Sequence, residues 1–356
     1  MHSHTVLPAE WAPQSAILLT WPHPHGDWRP WLAQVDQNFV ALATAISYYE
    51  SLLISCYDAD HRGHVHDLLA AASARMERVR LYVVPSNDSW ARDHGPITVY
   101  RDGRPVLLDF QFNGWGSKFP YNLDNRVTER LHAAGAFGDT PLAAVDLILE
   151  GGSIESDGRG TLLTTRQCLL SANRNALSQA ALEQRLAELL GIQRVLWLQH
   201  GHLAGDDTDG HIDTLARFCD PDTIAYQACA DESDEHFAPL RAMAVELSTF
   251  RTHAGQPYRL VPLPLPSAII SPGDGHRLPA GYANFLILNG AVLMSVYDDP
   301  ADAIALRRLR SCFPGREVIG VPGRTLIQQH GSLHCVAMQL PERVVAMSAS
   351  NQDSPP

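Results

Sequence analysis

Short apolar runs alternate with longer amphipathic segments along most of the chain. The runs 16–20 and 52–57 are almost wholly apolar, which predicts buried strands. Between them, apolar residues recur at spacings of three and four from Leu32 to Ile46, which predicts an amphipathic helix. A second such helix, over 178–190, begins at Ser178, a residue type that caps helix N-termini. The pattern therefore predicts a mixed α/β protein.

Turn sequences divide other apolar runs into hairpins. Asp102-Gly103 closes one hairpin and Asp220-Pro221-Asp222 closes a second. A third, over 282–294, turns at Asn289-Gly290. The order hairpin, helix, strand thus recurs along the chain, and a polar motif opens each cycle.

These polar motifs are regularly spaced. Glu150 follows Asp93 by 57 positions (150 − 93), and His211 follows Glu150 by 61 (211 − 150). Cys335 lies 124 positions beyond His211 (335 − 211), which leaves room for one more cycle. A recurring period indicates a repeat architecture. Modules of this length suit a radial ring of small sheets, which would bring one polar motif per module to a shared axis.

The most polar motif lies within the stretch 205–218. It opens with three acids: Asp206, Asp207 and Asp209. After Gly210, His211 and Asp213 alternate with apolar or small residues, which predicts a strand with both polar side chains on one face. Such a pair can bind a cation and move a proton. The alternative is a core histidine in a strand that follows an acidic turn.

Composition narrows the classes of partner. The net charge is −12, which argues against a nucleic-acid or anionic membrane surface and favours a small cationic ligand. The N-terminus lacks the basic and apolar regions of a signal peptide, and the apolar stretch 285–296 is too short to span a bilayer. We therefore expect a cytoplasmic protein with no membrane partner. Whether the protein forms a homodimer is left open.

One catalytic domain is predicted over residues 1–345. The proline-rich run 262–272 is interpreted as an internal loop, because one pattern continues on both sides of it. Residues 346–356 are predicted to form a disordered tail. No glycine-rich phosphate loop or dinucleotide fingerprint is present in the sequence, so no nucleotide cofactor is expected.

Cys335 is the strongest nucleophile candidate among the six cysteines. It follows a histidine in a Gly/Ser-containing turn, whereas Cys56 and Cys312 lie in apolar or helical contexts. No Cys-x-x-Cys pair is present, so reduced thiols are expected. By itself Cys335 is either a small buried hydrophobe or a nucleophile, and converging His and acidic motifs favour the nucleophile.

Several histidines lie near the N-terminus, at positions 23, 25, 61, 64 and 66. No carboxylate or cysteine completes a recognisable metal-ligand spacing with them. They are therefore interpreted as solvated loop and helix surface, and no metal site is predicted.

Four ordered motifs together resemble one enzyme family. They are Trp90-Ala-Arg-Asp93-His-Gly-Pro96, Glu150-Gly-Gly-Ser-Ile-Glu155, Asp209-Gly-His211-Ile-Asp213 and Leu333-His-Cys335. From about Trp11 to Gln339 the chain is similar to the agmatine deiminase family, which includes bacterial peptidylarginine deiminases of the Porphyromonas type. The resemblance implies the pentein fold, an α/β propeller of five ββαβ modules around a pseudo-fivefold axis.

The resemblance also implies catalytic roles. Cys335 would be the nucleophile, His211 the acid/base, and Glu150 the carboxylate that orients His211. Asp93 and Asp213 would bind the substrate guanidinium, whose paired N–H donors suit carboxylates. This chemistry implies neither a metal nor another cofactor.

The implied reaction is hydrolysis of agmatine to N-carbamoylputrescine and ammonia, a step of putrescine biosynthesis. Trp90 and Asp207 are further candidate substrate-binding residues, since acids and ring faces suit an ammonium group. The sequence departs from the usual family motifs at two places: Asp209 stands where many members have Asn, and Ser332-Leu333 stands where Asn-Ile is usual. The identity of the substrate beyond its guanidinium group is therefore left open. The alternatives are a peptidylarginine or free-arginine deiminase and, from other classes, a metallohydrolase or a catalytically inactive guanidino-binding protein.

Overall fold

The structure of the chain, a computed structural model, describes residues 4–345 of the 356. Within that range, seventeen strands form five separate sheets. The strands are β1 (Thr5–Val6), β2 (Gln14–Thr20), β3 (Ser51–Cys56), β4 (Val79–Val83), β5 (Ile97–Arg101), β6 (Arg104–Gln111), β7 (Leu142–Ile148), β8 (Ile154–Ser156), β9 (Thr161–Thr165), β10 (Arg194–Leu198), β11 (Ala216–Asp220), β12 (Thr223–Gln227), β13 (Arg259–Leu263), β14 (Leu286–Ile287), β15 (Ala291–Val296), β16 (Glu317–Pro322) and β17 (Ala337–Pro341). The predicted tail, 346–356, lies outside the described residues.

Six helices of seven or more residues connect the strands of residues 4–345. They are α1 (Leu32–Tyr49), α2 (Ala59–Ala71), α3 (Val127–Ala133), α4 (Gln179–Leu190), α5 (Phe237–Thr249) and α6 (Pro300–Cys312). Shorter helical turns cover Ala91–His94 and Arg166–Leu169. The predicted mixed α/β class is confirmed.

Each sheet contains the same unit of two antiparallel strands followed by a parallel one. In the second sheet β8 pairs with β9 antiparallel, and β9 pairs with β10 parallel across α4. Two adjacent parallel strands need a long crossover connection between them, and in every unit a helix forms the connection from the second strand to the third. The hairpin, helix, strand order predicted from turn sequences is confirmed in this form.

The last strand returns to the first module. β17 pairs antiparallel with β2, so Ala337 lies opposite Leu19. The parallel partners β3 and β4 complete this sheet. Pairing of the chain's two ends places Cys335, two residues before β17, at the same strand end as the motifs from other modules.

Local sequence explains the crossover helix α4. The Ser178 hydroxyl accepts the Ala181 N–H at 3.3 Å, which satisfies a free amide at the helix start. Gly191 ends the helix with a φ of 72°, a conformation that favours glycine. Leu182, Leu186 and Leu190 form one buried stripe, as the spacing predicted.

The strand predicted through His211 and Asp213 is wrong. Ile212–Thr214 is a single turn of 3₁₀ helix, and the strand begins only at Ala216. The Leu215 amide bonds back to the Ile212 carbonyl at 2.9 Å, and that bond closes the turn. Alternating polarity over so few residues does not distinguish a strand from a turn that buries both polar groups.

The described residues hold their apolar side chains in four buried clusters, and none of their helices is long and apolar enough to cross a membrane.

Candidate active site

Cys335 lies in a buried turn with two polar neighbours. Its side chain is 5% exposed, and its Sγ lies 3.2 Å from Asn284 Nδ2 and 3.7 Å from Asp213 Oδ2. Asn284 Oδ1 accepts the Cys335 N–H at 3.3 Å, so one side chain fixes both the backbone and the thiol. The Arg92 N–H donates to the Cys335 carbonyl at 3.1 Å and joins this turn to the Asp93 motif.

Asp93 and Asp213 lie beside one another on different modules. Asp93 Oδ1 accepts the Gly152 N–H at 3.0 Å. A side chain at Gly152 would place its Cβ 2.9 Å from Asp93 Oδ1, 3.0 Å from Asp213 Oδ2 and 2.6 Å from His211 Nδ1. These three functional atoms therefore surround one point, which only a glycine leaves free.

His211 is fully buried beside Asp93. Its Nδ1 lies 3.7 Å from Asp93 Oδ1, and neither ring nitrogen has a hydrogen-bond partner among the described residues. Asp213 Oδ1 is likewise buried without a partner in the described part of the chain. Buried polar atoms are normally hydrogen-bonded. These vacant donors and acceptors therefore point to a polar ligand between them.

Glu150 reaches His211 less directly than the family resemblance implies. Its Oε1 accepts a hydrogen bond from Arg174 Nε at 2.5 Å, and both side chains are fully buried. A carboxylate oxygen of Glu150, a ring nitrogen of His211 and Cys168 Sγ all lie within 4.8 Å of one another. Glu150 is therefore close enough to act on His211 by charge.

Burial and charge set the ionisation of these groups. Burial, the largest influence, lowers the pKa of His211, but the neighbouring groups, Asp93 first, raise it well above its ordinary value. Burial raises the pKa of Asp93 to about 6, although His211 opposes the rise. Burial and the carboxylates of Asp213 and Asp93 hold the pKa of the Cys335 thiol well above its usual range. These protein groups by themselves thus favour a protonated imidazole and a protonated thiol.

Asp213 belongs to a buried chain of charged groups that sequence reasoning missed. His334 Nδ1 lies 2.7 Å from Asp213 Oδ2, and His334 Nε2 lies 2.7 Å from Glu10 Oε2. Arg217 contacts both Glu10 and Glu155. Burial raises the pKa of Asp213, but the hydrogen bond from His334 brings it below its ordinary value. The chain of contacts keeps Asp213 ionised and fixed in orientation.

The pocket above Cys335 has an aromatic and acidic lining. Its volume is about 380 Å³, including the part of the mouth that is open to solvent. The lining residues named in the sequence analysis are Trp90, Asp93, Asp207 and Cys335, joined by Asp27, Asp88, Trp115, Phe119, Thr208, Gln329, His330 and Gly331. Both candidate substrate-binding residues, Trp90 and Asp207, therefore line it. The neighbouring acids Asp206 and Asp209 do not, because they bond within the protein.

Trp115 reaches the pocket from a left-handed turn. Residues 114–117 all have positive φ, between 54° and 89°. This conformation costs about 1–2 kcal/mol for each residue other than glycine, so Trp115 and Ser117 are held against strain. Trp115 Nε1 donates to Asp93 Oδ2 at 3.0 Å. The strained turn thus supports a residue that binds a central carboxylate.

Two buried clusters within residues 4–345 have donor types that metals use. They are Glu150, Cys168 and His211, and Glu10, Glu155 and His334. Arg174 contacts the first cluster and Arg217 contacts the second, so a guanidinium already supplies positive charge to each. The expectation of no metal stays a prediction.

The interpretation of the N-terminal histidines as solvated surface is wrong for His23, which is buried with 2% of its surface exposed. It lines one pocket beside α2 together with His25, His61 and His64. His23 Nε2 lies 3.1 Å from the Ser86 carbonyl oxygen, and its Nδ1 accepts the His25 N–H at 3.2 Å. Burial, the largest influence, lowers the pKa of His23 to about 4. Because its ring nitrogens are already bonded, His23 is unsuited to hold a metal.

The chain is similar to known proteins over most of its length. The model of the Porphyromonas-type peptidyl-arginine deiminase family matches residues 6–341. The chain is 34% identical to an agmatine deiminase of Stutzerimonas stutzeri, over 94% of this chain and 95% of that one. A Porphyromonas gingivalis structure, provisionally named an arginine deiminase, is 52% identical with a TM-score of 0.90 and covers 95% of this chain and 99% of its own. The agmatine deiminase of C. jejuni with substrate bound is 36% identical with a TM-score of 0.88, over 96% and 97% of the two chains.

Proposed function

Since this chain belongs to the Porphyromonas-type peptidyl-arginine deiminase family, we propose that it hydrolyses agmatine to N-carbamoylputrescine and ammonia. It is an enzyme that acts on guanidino groups, as its relatives are. The observation that carries the proposal is the convergence of Asp93, Asp213 and His211 on one point beside Cys335. The product would feed putrescine synthesis.

Asp93 and Asp213 are proposed to hold the guanidinium between them. A guanidinium is planar and donates paired N–H bonds, which carboxylates accept bidentately. Asp213 Oδ1 has no partner among the described residues, so it is free to accept such a bond. Two carboxylates fix the plane of the group, and Cys335 Sγ, 3.7 Å from Asp213 Oδ2, then approaches its central carbon.

The proposed chemistry has two steps. First, the Cys335 thiol loses its proton to solvent and its sulfur bonds to the guanidinium carbon. His211 donates a proton to one terminal nitrogen, the bond from that nitrogen to the carbon breaks, and ammonia leaves. A thiouronium remains on Cys335. Second, His211 takes a proton from water and the water oxygen bonds to the carbon. The carbon–sulfur bond then breaks, the hydroxyl proton passes to the Cys335 sulfur, and the ureido product leaves. Glu150 favours the protonated form of His211 through its charge.

Substrate charge provides a way to activate the thiol. The carboxylates that hold the guanidinium also raise the pKa of Cys335 in the empty site. A bound cation neutralises that repulsion, so the thiol loses its proton more readily after the substrate has entered. The nucleophile would then form only where a substrate is present.

The pocket mouth supports agmatine over free arginine. Among the described residues no arginine or lysine lines the pocket, whereas Asp27, Asp88 and Asp207 do. Agmatine ends in an ammonium, which carboxylates and the face of Trp90 attract. Free arginine also carries a carboxylate, which these acids would repel. The nearby Lys118 is already bonded to the Asp207 carbonyl and to Asp209.

The substrate is tested by measuring ammonia release from agmatine, free arginine and an arginine-containing peptide under one set of conditions. We expect agmatine to have the highest kcat/KM. A higher value for arginine or the peptide would overturn the agmatine assignment and leave the deiminase chemistry standing. No ammonia from any of the three would overturn both.

The proposal extends to architecture. We propose that the five ββαβ units surround a pseudo-fivefold axis, which the five sheets and their repeated strand order support. Residues 1–345 would then form one catalytic domain. A cytoplasmic location and a homodimer stay predictions.

A further inference from the structure

Asp209 lies at a junction between the pocket mouth and the buried site. Its Oδ1 accepts a hydrogen bond from Lys118 Nζ at 2.7 Å. Its Oδ2 accepts one from Arg174 Nη1 at 2.8 Å and one from Asn173 Nδ2 at 3.1 Å. One carboxylate thus pairs with two cations that come from different loops.

Lys118 connects Asp209 to the strained turn of Trp115. Lys118 Nζ also donates to the Asp207 carbonyl at 2.6 Å, so it spans from the 113–118 loop to the acidic loop. Asn113 Nδ2 donates to the Asn173 carbonyl at 2.9 Å and adds a second link. Release of these links would let the left-handed turn relax, and Trp115 would lose its place against Asp93.

Arg174 connects Asp209 to the acid/base pair. Arg174 Nε donates to Glu150 Oε1, and its Nη2 donates to the Thr208 carbonyl at 3.0 Å. Arg174 is fully buried, so its single positive charge is shared between Glu150 and Asp209. Without the charge of Asp209, Arg174 would be compensated by Glu150 alone, and the field of Glu150 at His211 would weaken.

We propose that Asp209 is a positioning residue that ties the Trp115 turn, through Lys118, and the Glu150–His211 pair, through Arg174, into one unit. It touches no reacting atom and acts only through these partners. The inference rests on the proposed deiminase function for its kinetic readout.

Asp209→Asn is a clean test. Asp209 has a φ of 67°, and Asn tolerates that left-handed conformation as well as Asp does. The substitution therefore keeps shape and backbone while it removes the charge. Lys118→Met keeps an apolar stem of similar length. It removes the bonds that hold the Trp115 turn to the acidic loop but leaves the Arg174–Asp209 bond in place. Glu188→Gln, which removes a surface charge from the exposed pair with Arg185, is the matched control.

The kinetic pattern separates the two connections. We expect Asp209→Asn to lower kcat/KM about tenfold or more, with a fall in kcat, because charge-assisted bonds on both sides are weakened. Lys118→Met should chiefly raise KM, because it frees the pocket wall and leaves Arg174 bound. The double variant should lose less than the product of the two single losses, since both changes break the Lys118–Asp209 link.

The pH at which kcat falls on its basic limb would not change if Asp209→Asn only destabilised the fold. The charged and titratable groups around His211 are Asp93, Glu150, Cys168, Asp213 and, behind Glu150, Arg174. Loss of negative charge at Asp209 should lower the pKa of His211 and shift the basic limb of kcat to lower pH. Lys118→Met and Glu188→Gln should not lower it.

Wild-type kinetics with an unshifted basic limb in Asp209→Asn would overturn the inference, as would additive effects in the double variant. The ring signal of His211, identified by NMR through its loss in His211→Asn, measures the same pKa without turnover. If the wild type released no ammonia from agmatine, the proposed function would fail, and this NMR comparison would still decide the coupling.

Discussion

Replacement of Asp93 by Asn tests the central carboxylate of the site. Asn keeps the shape but removes the charge that would pair with the guanidinium and with His211 Nδ1, 3.7 Å away. A hydrogen bond to a charged group contributes roughly 1.5–3 kcal/mol, which corresponds to about a 10- to 150-fold change. Displacement of the reacting carbon by about 1 Å can cost a further ~10²-fold. We therefore expect kcat/KM for agmatine to fall by about 10³–10⁴-fold.

The same variant should remain folded. The rise in the pKa of Asp93 from 3.8 to about 6 corresponds to about 3 kcal/mol against the ionised form at neutral pH. A neutral amide avoids this cost. Against that gain, the new NH₂ group would face the N–H of Trp115 or Gly152, and a lost buried bond costs about 1–3 kcal/mol. The two effects nearly cancel, so the Tm at neutral pH should change little.

The assay is ammonia release across pH, with Asp109→Asn as the matched control. Asp109 is a half-buried carboxyl on β6 whose pKa burial also raises to about 6, and it lies away from the pocket. In the wild type, kcat/KM should fall as pH drops through about 6, because the raised pKa of Asp93 means that its carboxylate is protonated there. The pH dependence of kcat/KM gives the pKa values of groups in the free enzyme, so this acidic limb should give the pKa of Asp93 before substrate binds.

Three results would each refute one part of the reasoning. Near-normal kcat/KM in Asp93→Asn would remove Asp93 from the substrate site. An acidic limb that disappears in Asp109→Asn would assign that limb to another carboxyl. A large loss of Tm in Asp93→Asn would show instead that the expected cancellation of its charge and hydrogen-bond effects is wrong.

Three further predictions concern the thiol and metals. Cys335→Ala should abolish turnover yet keep agmatine binding by calorimetry, whereas Cys229→Ala should stay active; an active Cys335→Ala would exclude the nucleophile. Exhaustive chelation should leave the rate unchanged, and restoration of a lost rate by zinc would favour a metallohydrolase. Alkylation of Cys335 should show a thiol pKa well above normal, which falls when an unreactive guanidinium is bound; a normal pKa in the empty site would contradict carboxylate repulsion.

The family motifs could be found without the structure because each is short and local. Turn chemistry and apolar runs predicted the hairpin, helix, strand order, since these signals act over a few residues. The five implied catalytic residues lie at turns between those elements, and the structure brings them together at one site. Local pattern nevertheless failed at Ile212–Thr214, where the 3₁₀ turn has the polarity of a strand.

The supporting residues were decided only by the tertiary structure. Glu10 and His334 are 324 positions apart and contact at 2.7 Å, and Asn284 reaches Cys335 from another module. Such contacts leave no period or spacing in the sequence, because they depend on how the modules pack. The same packing determines that Asp207 faces the pocket while Asp209 pairs with Lys118 and Arg174. Neighbouring acids look equivalent in a sequence, and only the folded backbone sets the direction in which each side chain points.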